Sequence, residues 1–314
     1  MTDIFIKHVA LNIPEQDVEL AKAFYQDFGL RISHEAANRI NIYCDGVDHP
    51  SIVLLIGHQD KALDHLEIGV SNRKMQKIKA RLDQHHIESH IQFGQSEIGI
   101  WFSDPQGILF HVIEAEDSYK EIAVNPFMIN APGHKNRINQ GALPPKSTLP
   151  AIRPRRMGHV LLFTPDVNAS LKFLEQIFEM RLSDRSGNGV VFTHCAEGSE
   201  HHVIAFAKSS HIGFHHASFL VNSPDEVGLG GQRMQEKGHQ KGWGFGRHSI
   251  GSNFFYYVAD PWGSYVEYYA DMDYIQNSNE WRAKNWPPED ALHSWGPQPP
   301  HDFTHNYEPN HLRA

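Results

Sequence analysis

Residues 7–14 read Lys-His-Val-Ala-Leu-Asn-Ile-Pro, and residues 158–165 read Gly-His-Val-Leu-Leu-Phe-Thr-Pro. In each, a histidine opens a short apolar run that a proline ends, and a helical pattern follows. The first pattern closes at Phe28-Gly29-Leu30-Arg31 and the second at Phe178-Glu179-Met180-Arg181. The two histidines, His8 and His159, are 151 positions apart, and the same 151 separates His65 in residues 64–70 from His216 in residues 215–221. Asp104-Pro105-Gln106-Gly107 and Asp260-Pro261-Trp262-Gly263 repeat at a spacing of 156, which a small insertion explains. Three matches in one order at nearly constant spacing mark a duplicated domain.

Each half divides again into two strand-helix-strand units, about 6–56 and 62–115, then 156–206 and 212–269. Apolar residues at three-to-four spacing predict helices over Val18–Phe28, Met75–Leu82 and Val167–Phe178, with Ser71-Asn72 available to cap the second. The expected class is α+β: two tandem domains, each of two βαβββ modules paired into a half-open barrel. Residues 1–140 make the first domain, with a linker over 116–155 marked by Pro126, Pro132, Pro144, Pro145, Pro150 and Pro154. Residues 156–284 make the second. The tail, 285–314, is rich in Pro, Trp and His; Trp281, Trp286 and Trp295 suggest that it packs on the body.

Bulk composition narrows the function. A net charge of −9 and the lack of a basic run argue against nucleic acid as a partner. No apolar run approaches the roughly 20 residues needed to cross a bilayer, and the N-terminus lacks the cationic and apolar segments of a signal peptide. Only Cys44 and Cys195 are present, so no disulfide framework is expected, which suits a reducing cytoplasm. Histidine is abundant, at 23 residues, so only those inside apolar strand patterns carry a functional expectation.

The chemistry is sought in His248–Glu267, HSIGSNFFYYVADPWGSYVE. Two aromatic strands flank the tight turn Asp260-Pro261-Trp262-Gly263. Glu267 sits among Tyr and Val, where a carboxylate is costly unless paired or bound to metal. If equivalent strands face inward, the second domain offers His159, His216 and Glu267, although His215 beside His216 leaves open which of the two turns inward. Two imidazoles and one carboxylate form a facial triad with open positions, the ligand set of non-haem Fe(II) oxygen chemistry, with Mn(II) a close substitute. In the first half the equivalent positions hold His8, His65 and His111, with no glutamate where Glu267 stands.

With these residues the chain resembles the type I extradiol (catechol meta-cleavage) dioxygenases of the vicinal oxygen chelate superfamily, over essentially its whole length. The most specific part is His248 followed by Tyr257-x-x-Asp260-Pro261-x-Gly263-x-x-x-Glu267. The resemblance implies the glyoxalase-like fold and makes Glu267 the third iron ligand after His159 and His216, the second histidine of its pair. It makes Tyr257 an active-site hydrogen-bonding residue and places His248 near the substrate. His201-His202-Val203-Ile204-Ala205-Phe206 looks like the family's His-x-x-Ala-Phe strand, which selects His202 as the acid–base histidine. Tyr256 departs from the usual aliphatic residue or Phe.

The implied reaction inserts both atoms of O2 into a catechol, opening the ring beside the two hydroxyls. The partners implied are a small aromatic diol and O2, with the chain in a homo-oligomer. A substituted catechol or a trihydroxybenzene such as a trihydroxytoluene is considered as readily as a biphenyl-type diol. Trp262, Phe254, Phe255, Phe192, His194 and the tail are candidates for the pocket wall, and Arg247 for a surface or supporting charge. The competing expectations are a metal-dependent lyase or isomerase of the same superfamily and a non-catalytic aromatic-binding protein. A second metal at His8, His65 and His111 is conceivable, but the family generally binds iron in the second domain only, so one iron is the expectation.

Overall fold

Valine, isoleucine and leucine fill the duplicated runs, and in the computed structural model these runs form the centre of two mixed sheets. The structure describes residues 3–36, 38–89, 98–120, 129–141 and 144–310. The first sheet is built from β1 (Ile4–Ile13), β2 (Arg31–Ala36), β3 (Arg39–Tyr43), β4 (Ile52–Ile56), β5 (Ala62–Val70), β6 (Ile100–Ser103) and β7 (Leu109–Glu114), with α1 (Val18–Asp27) and α2 (Asn72–Gln84) between them. Its order is β2-β3-β4-β1-β5-β7-β6.

The second half contributes β8 (Arg156–Thr164), β9 (Met180–Ser186), β10 (Val190–Cys195), a two-residue β11 (Ser199–Glu200), β12 (Ile204–Lys208), β13 (Gly213–Leu220), β14 (Gly242–Arg247), β15 (Phe254–Ala259) and β16 (Tyr265–Ala270). Helices α3 (Val167–Phe173) and α4 (Pro224–Glu236) lie between them. Two short late strands follow, β17 (Tyr274–Ile275), paired with β11, and β18 (Lys284–Asn285), paired with β9. The sheet runs β14-β15-β16-β13-β8-β12-β10-β9-β18. Read from its far end, β9-β10-β12-β8-β13-β16-β15 repeats the first order strand for strand. The fourth-strand position of the module that begins at β5 falls at residues 90–97, outside the described residues, as does Pro126 of the linker.

Local signals set the ends of the elements. Ser71 caps α2 by accepting from the Lys74 amide, and Ser223 caps α4, which has Pro224 in its first turn. Asp104 and Asp260 each accept two backbone amides of their own turn, and each turn closes on a glycine of positive φ, Gly107 at 93° and Gly263 at 91°. The duplicated turn is therefore scaffold. Helix α3 passes at Leu174 into a single π-type turn ending at Phe178.

The helix ends cross between halves and make one continuous core. Phe28, after α1, stacks on Tyr268 of β16 at 3.8 Å, and the Tyr268 hydroxyl donates to the Phe28 carbonyl. In return Phe173 and Phe178 pack on Phe102 and Phe110 of the first sheet. The tail closes the join: buried Glu308 accepts from Lys61 Nζ at 3.1 Å and from the amides of Leu63 and Phe214.

Glu179 occupies a left-handed position, φ 60°, where the first half has Gly29 at φ 96°. A side chain there costs on the order of 1 kcal/mol or more. Its carboxylate meets Lys74 at 3.0 Å, Lys77 at 3.3 Å and Arg81 at 2.6 Å, all on α2 of the other half. Burial alone would raise its pKa, but these three cations outweigh it and bring the group down from 4.5 to about 2. A depressed carboxylate stabilises the fold above its unfolded pKa and loses that effect as pH falls through the folded one. We expect Glu179→Gln to cost about 1 kcal/mol at pH 7, since water screens the group at the rim. Urea melts should show the gap to wild type narrowing between pH 4.5 and 2.

Candidate metal centre and its cavity

Strand register gathers the site into a single row. Tyr257 on β15 pairs with Glu267 on β16, Glu267 with Ser218 on β13, and Ser218 with His159 on β8. Residues opposite one another across a sheet share a face, and so does the residue two positions along a strand, which adds His216. One coordinating atom from each of His159, His216 and Glu267 lies within 4.8 Å of the others. All three are buried, Glu267 completely.

Glu267 is a charge in need of a cation. Its Oε2 lies 3.3 Å from His159 Nε2 and 3.8 Å from His216 Nε2, and its Oε1 lies 3.7 Å from His248 Nε2. Among the described residues no lysine or arginine comes within ion-pair distance. Ser218 Oγ and Asn253 Nδ2, the latter at 3.2 Å, donate to the carboxylate. Burial raises the Glu267 pKa, but the hydrogen bonds and charges of the surrounding histidines outweigh that and hold it well below the ordinary carboxylate range. A buried anion with only imidazoles and neutral donors around it is the setting a divalent cation completes.

Hydrogen bonds fix which imidazole nitrogens are bare. His215 Nε2 donates to the Phe303 carbonyl at 2.7 Å, so its Nδ1 is an acceptor. That acceptor lies 2.6 Å from His216 Nδ1, which must carry the proton. His216 Nε2 is then a bare lone pair, and it has no hydrogen-bond partner in the protein. Burial, then the neighbouring His215, pushes the His216 pKa well down, so the ring is neutral, as a ligand must be.

The same device recurs at His202. His201 Nε2 faces Asp184 Oδ2 at 3.2 Å, and its Nδ1 lies 3.0 Å from His202 Nδ1. His202 therefore donates through Nδ1 and keeps Nε2 as its basic nitrogen. Burial, then the charges of His159 and His201, lower its pKa far below the usual value. On the other side His248 Nδ1 donates to the Leu292 carbonyl, which leaves Nε2 to accept from the Tyr257 hydroxyl at 3.0 Å. Burial, then Glu267, keeps that phenol protonated by raising its pKa well above 10.

These groups line a cavity of about 450 Å³. His159, His202, His216, His248 and Tyr257 form its inner end. Leu161, Val190, Phe192 and Ile250 form apolar walls, and Leu292 and Phe303 of the tail roof it. Phe192 and the tail are thus where the sequence suggests, whereas the other candidates for the wall lie elsewhere. Trp262 donates to Asp17 of the first half, Phe255 packs on Trp243, Phe254 lines a separate surface groove, and His194 is held by Ser183 and Ser278. Arg247 pairs with Asp271 at the surface.

Sequence reasoning passes over Ser218, Asn253 and Asp184, and it weighs His201 and His215 only as neighbours of the chosen histidines. Period-two alternation from His216 could have found Ser218; Asn253 and His201 stand in loops, and Asp184 on β9 and His215 on β13 act only through contacts distant in sequence. In the first half His8 and His65 converge as expected, joined by Glu67, which was not expected, and His111 bonds to that carboxylate at 2.7 Å.

Residues 156–268 match the family model described as Glyoxalase/Bleomycin resistance protein/Dioxygenase superfamily, and residues 7–38 match that of the Bleomycin resistance protein-like N-terminal segment. The chain is 36% identical over 305 residues to Metapyrocatechase 2 of Cupriavidus necator, covering 96% of this chain and 92% of the relative. It is 25% identical over 225 residues to the Iron-dependent extradiol dioxygenase of Rhodococcus jostii (strain RHA1), covering 67% and 65%. Among solved structures, the Mn(II)-bound glyoxalase of Novosphingobium aromaticivorans superposes with a TM-score of 0.74 at 22% identity, over 96% of this chain and 94% of that one, a likeness of fold.

The histidine pair generates a test. His215→Phe removes the acceptor that sets the His216 tautomer, and metal affinity should fall about 10- to 100-fold with the stoichiometry of this centre unchanged. His215→Gln, which offers a carbonyl oxygen, should restore part of it. Chelator competition measures both.

Proposed function

The chain belongs to the extradiol ring-cleaving dioxygenases of the vicinal oxygen chelate superfamily, and on that premise we propose that its second half binds Fe(II) through His159, His216 and Glu267 and cleaves a substituted catechol beside its hydroxyls. Mn(II) fits the same donors. The observation that carries the assignment is the fully buried Glu267 carboxylate, surrounded by imidazoles at the inner end of an apolar cavity. Once bound, the metal would bring both hydroxyl oxygens of the substrate and O2 into one coordination sphere. Both oxygen atoms end in the product, so no further reductant is needed.

The protein's own groups do the rest. His202 Nε2 accepts a proton from a substrate hydroxyl and returns one as the ring opens, a role suited to a neutral imidazole fixed by His201 and Asp184. The Tyr257 hydroxyl gives its one proton to His248 Nε2, which holds it in place, so its oxygen is free to accept from a substrate hydroxyl in the cavity. Leu161, Val190, Phe192 and Ile250 orient the ring and exclude water. These three roles, for His202, Tyr257 and His248, extend the family reading to numbered residues of this chain.

The substrate we propose is a catechol or trihydroxybenzene carrying an apolar substituent, with 2,4,5-trihydroxytoluene as a small example. A cavity of roughly 150 Å³ holds one benzene ring, so about 450 Å³ accommodates a ring, its substituent and O2. Domain limits of 1–140, 156–284 and 285–314 are proposed with this reading. So is assembly into a homo-oligomer, supported by Ile129 and Ile138, which are about three-quarters exposed. No helix among the described residues is long and apolar enough to cross a membrane.

Fe(II)-loaded protein mixed with catechols in air should consume one O2 per diol and give a yellow ring-opened product. No colour and no uptake across catechol, alkylcatechols and trihydroxytoluene would contradict the reading. His202→Phe should keep metal content and anaerobic substrate binding while losing at least 100-fold in turnover. Near-normal turnover would remove His202 from the mechanism.

A further inference from the structure

The first sheet repeats the row of the metal centre with three of its four residues changed. In the second half the row is Tyr257, Glu267, Ser218, His159; in the first it is Trp101, His111, Glu67, His8. The carboxylate has moved one strand over, from the β16 position to the β5 position, and a histidine stands where it would have been. His65, two residues before Glu67 on β5, matches His216. The donor set survives the exchange: His8, His65 and Glu67 each bring one coordinating atom within 4.8 Å of the others, and all three are buried.

Two further observations point to a ligand here. His8 is 3% exposed; its Nδ1 lies 3.3 Å from Glu67 Oε1, and its buried Nε2 has no hydrogen-bond partner. His65 Nδ1 is held by Asp64 Oδ1 at 2.6 Å, the carboxylate–histidine arrangement that orients the opposite nitrogen toward a metal. Glu67 meets Lys7 Nζ at 3.2 Å as well as His111, and Lys7, a quarter exposed, can turn to water when a cation arrives. Trp101 lies flat on His111 at 3.9 Å and edge-on to His65, closing the side that Tyr257 lines in the second half. Three protein donors leave the fourth position of a tetrahedral ion to water.

We propose that His8, His65 and Glu67 bind a second divalent transition-metal ion, Zn(II) or Fe(II) by their donor chemistry. Metal-free full-length chain should take up two equivalents of Zn(II), counted by plasma mass spectrometry after gel filtration. His65→Ala and Glu67→Gln should each take up one, with ring-cleavage turnover after Fe(II) loading within about twofold of wild type. Glu267→Gln should also take up one, and in that protein Zn(II) should raise the melting temperature reversibly to chelator. A wild-type count of one that Glu267→Gln abolishes would overturn the second site and leave the ring-cleavage reading intact. A count of two that neither first-half variant lowers would overturn it equally, since the extra ion would then sit elsewhere. A wild-type count of one that His65→Ala abolishes and Glu267→Gln leaves intact would support the second site and count against the catalytic centre instead.

Discussion

A carboxylate buried without a lysine or arginine is the constraint on which the second half turns. Moving an ionised carboxylate into a protein interior costs several kcal/mol even after relaxation. Two neutral hydrogen-bond donors, Ser218 and Asn253, offset only part of that cost at Glu267. The His216 nitrogen facing it is bare because the His215–Phe303 contact assigns the proton to the other side of the ring. A divalent cation satisfies the anion and the lone pairs together. The strand row, the aromatic packing around Tyr257 and the tail over the cavity all serve to keep water from doing so.

The scaffold reaches this through duplication. Two sheets with one strand order supply two equivalent rows, and the crossing of α1 and α3 binds the halves into one core. Phe28 on Tyr268 is the telling contact, since Tyr268 follows Glu267 directly and points to the opposite face of β16. The first half therefore buttresses the very strand that carries the third ligand. Glu308 repeats the logic from the tail, joining Lys61 and Leu63 of the first half to Phe214, two residues before His216.

Much of this was legible in the chain. The repeated histidine-opened strands and the repeated Asp-Pro-x-Gly turn encode local structure, so their spacing revealed the duplication and, with it, His159 and His216 as partners for Glu267. The helices at Val18, Asn72 and Val167 follow from apolar spacing and caps. What stayed hidden depends on distant contacts. Nothing in His201-His202 or His215-His216 says that the first of each pair fixes the proton of the second, because the partners, Asp184 and the Phe303 carbonyl, lie 17 and 88 residues away. Glu67 was hidden differently: it shares a face with His65, but the position equivalent to Glu267 holds His111, so the carboxylate stands one strand away from where the repeat places it.

Anomalous diffraction at the iron edge, from crystals grown anaerobically with Fe(II), is the most direct measurement of the central claim. The account predicts a peak bonded to His159, His216 and Glu267, with the His216 bond made through Nε2. Iron scattering that leaves Glu267 without a metal contact would contradict it.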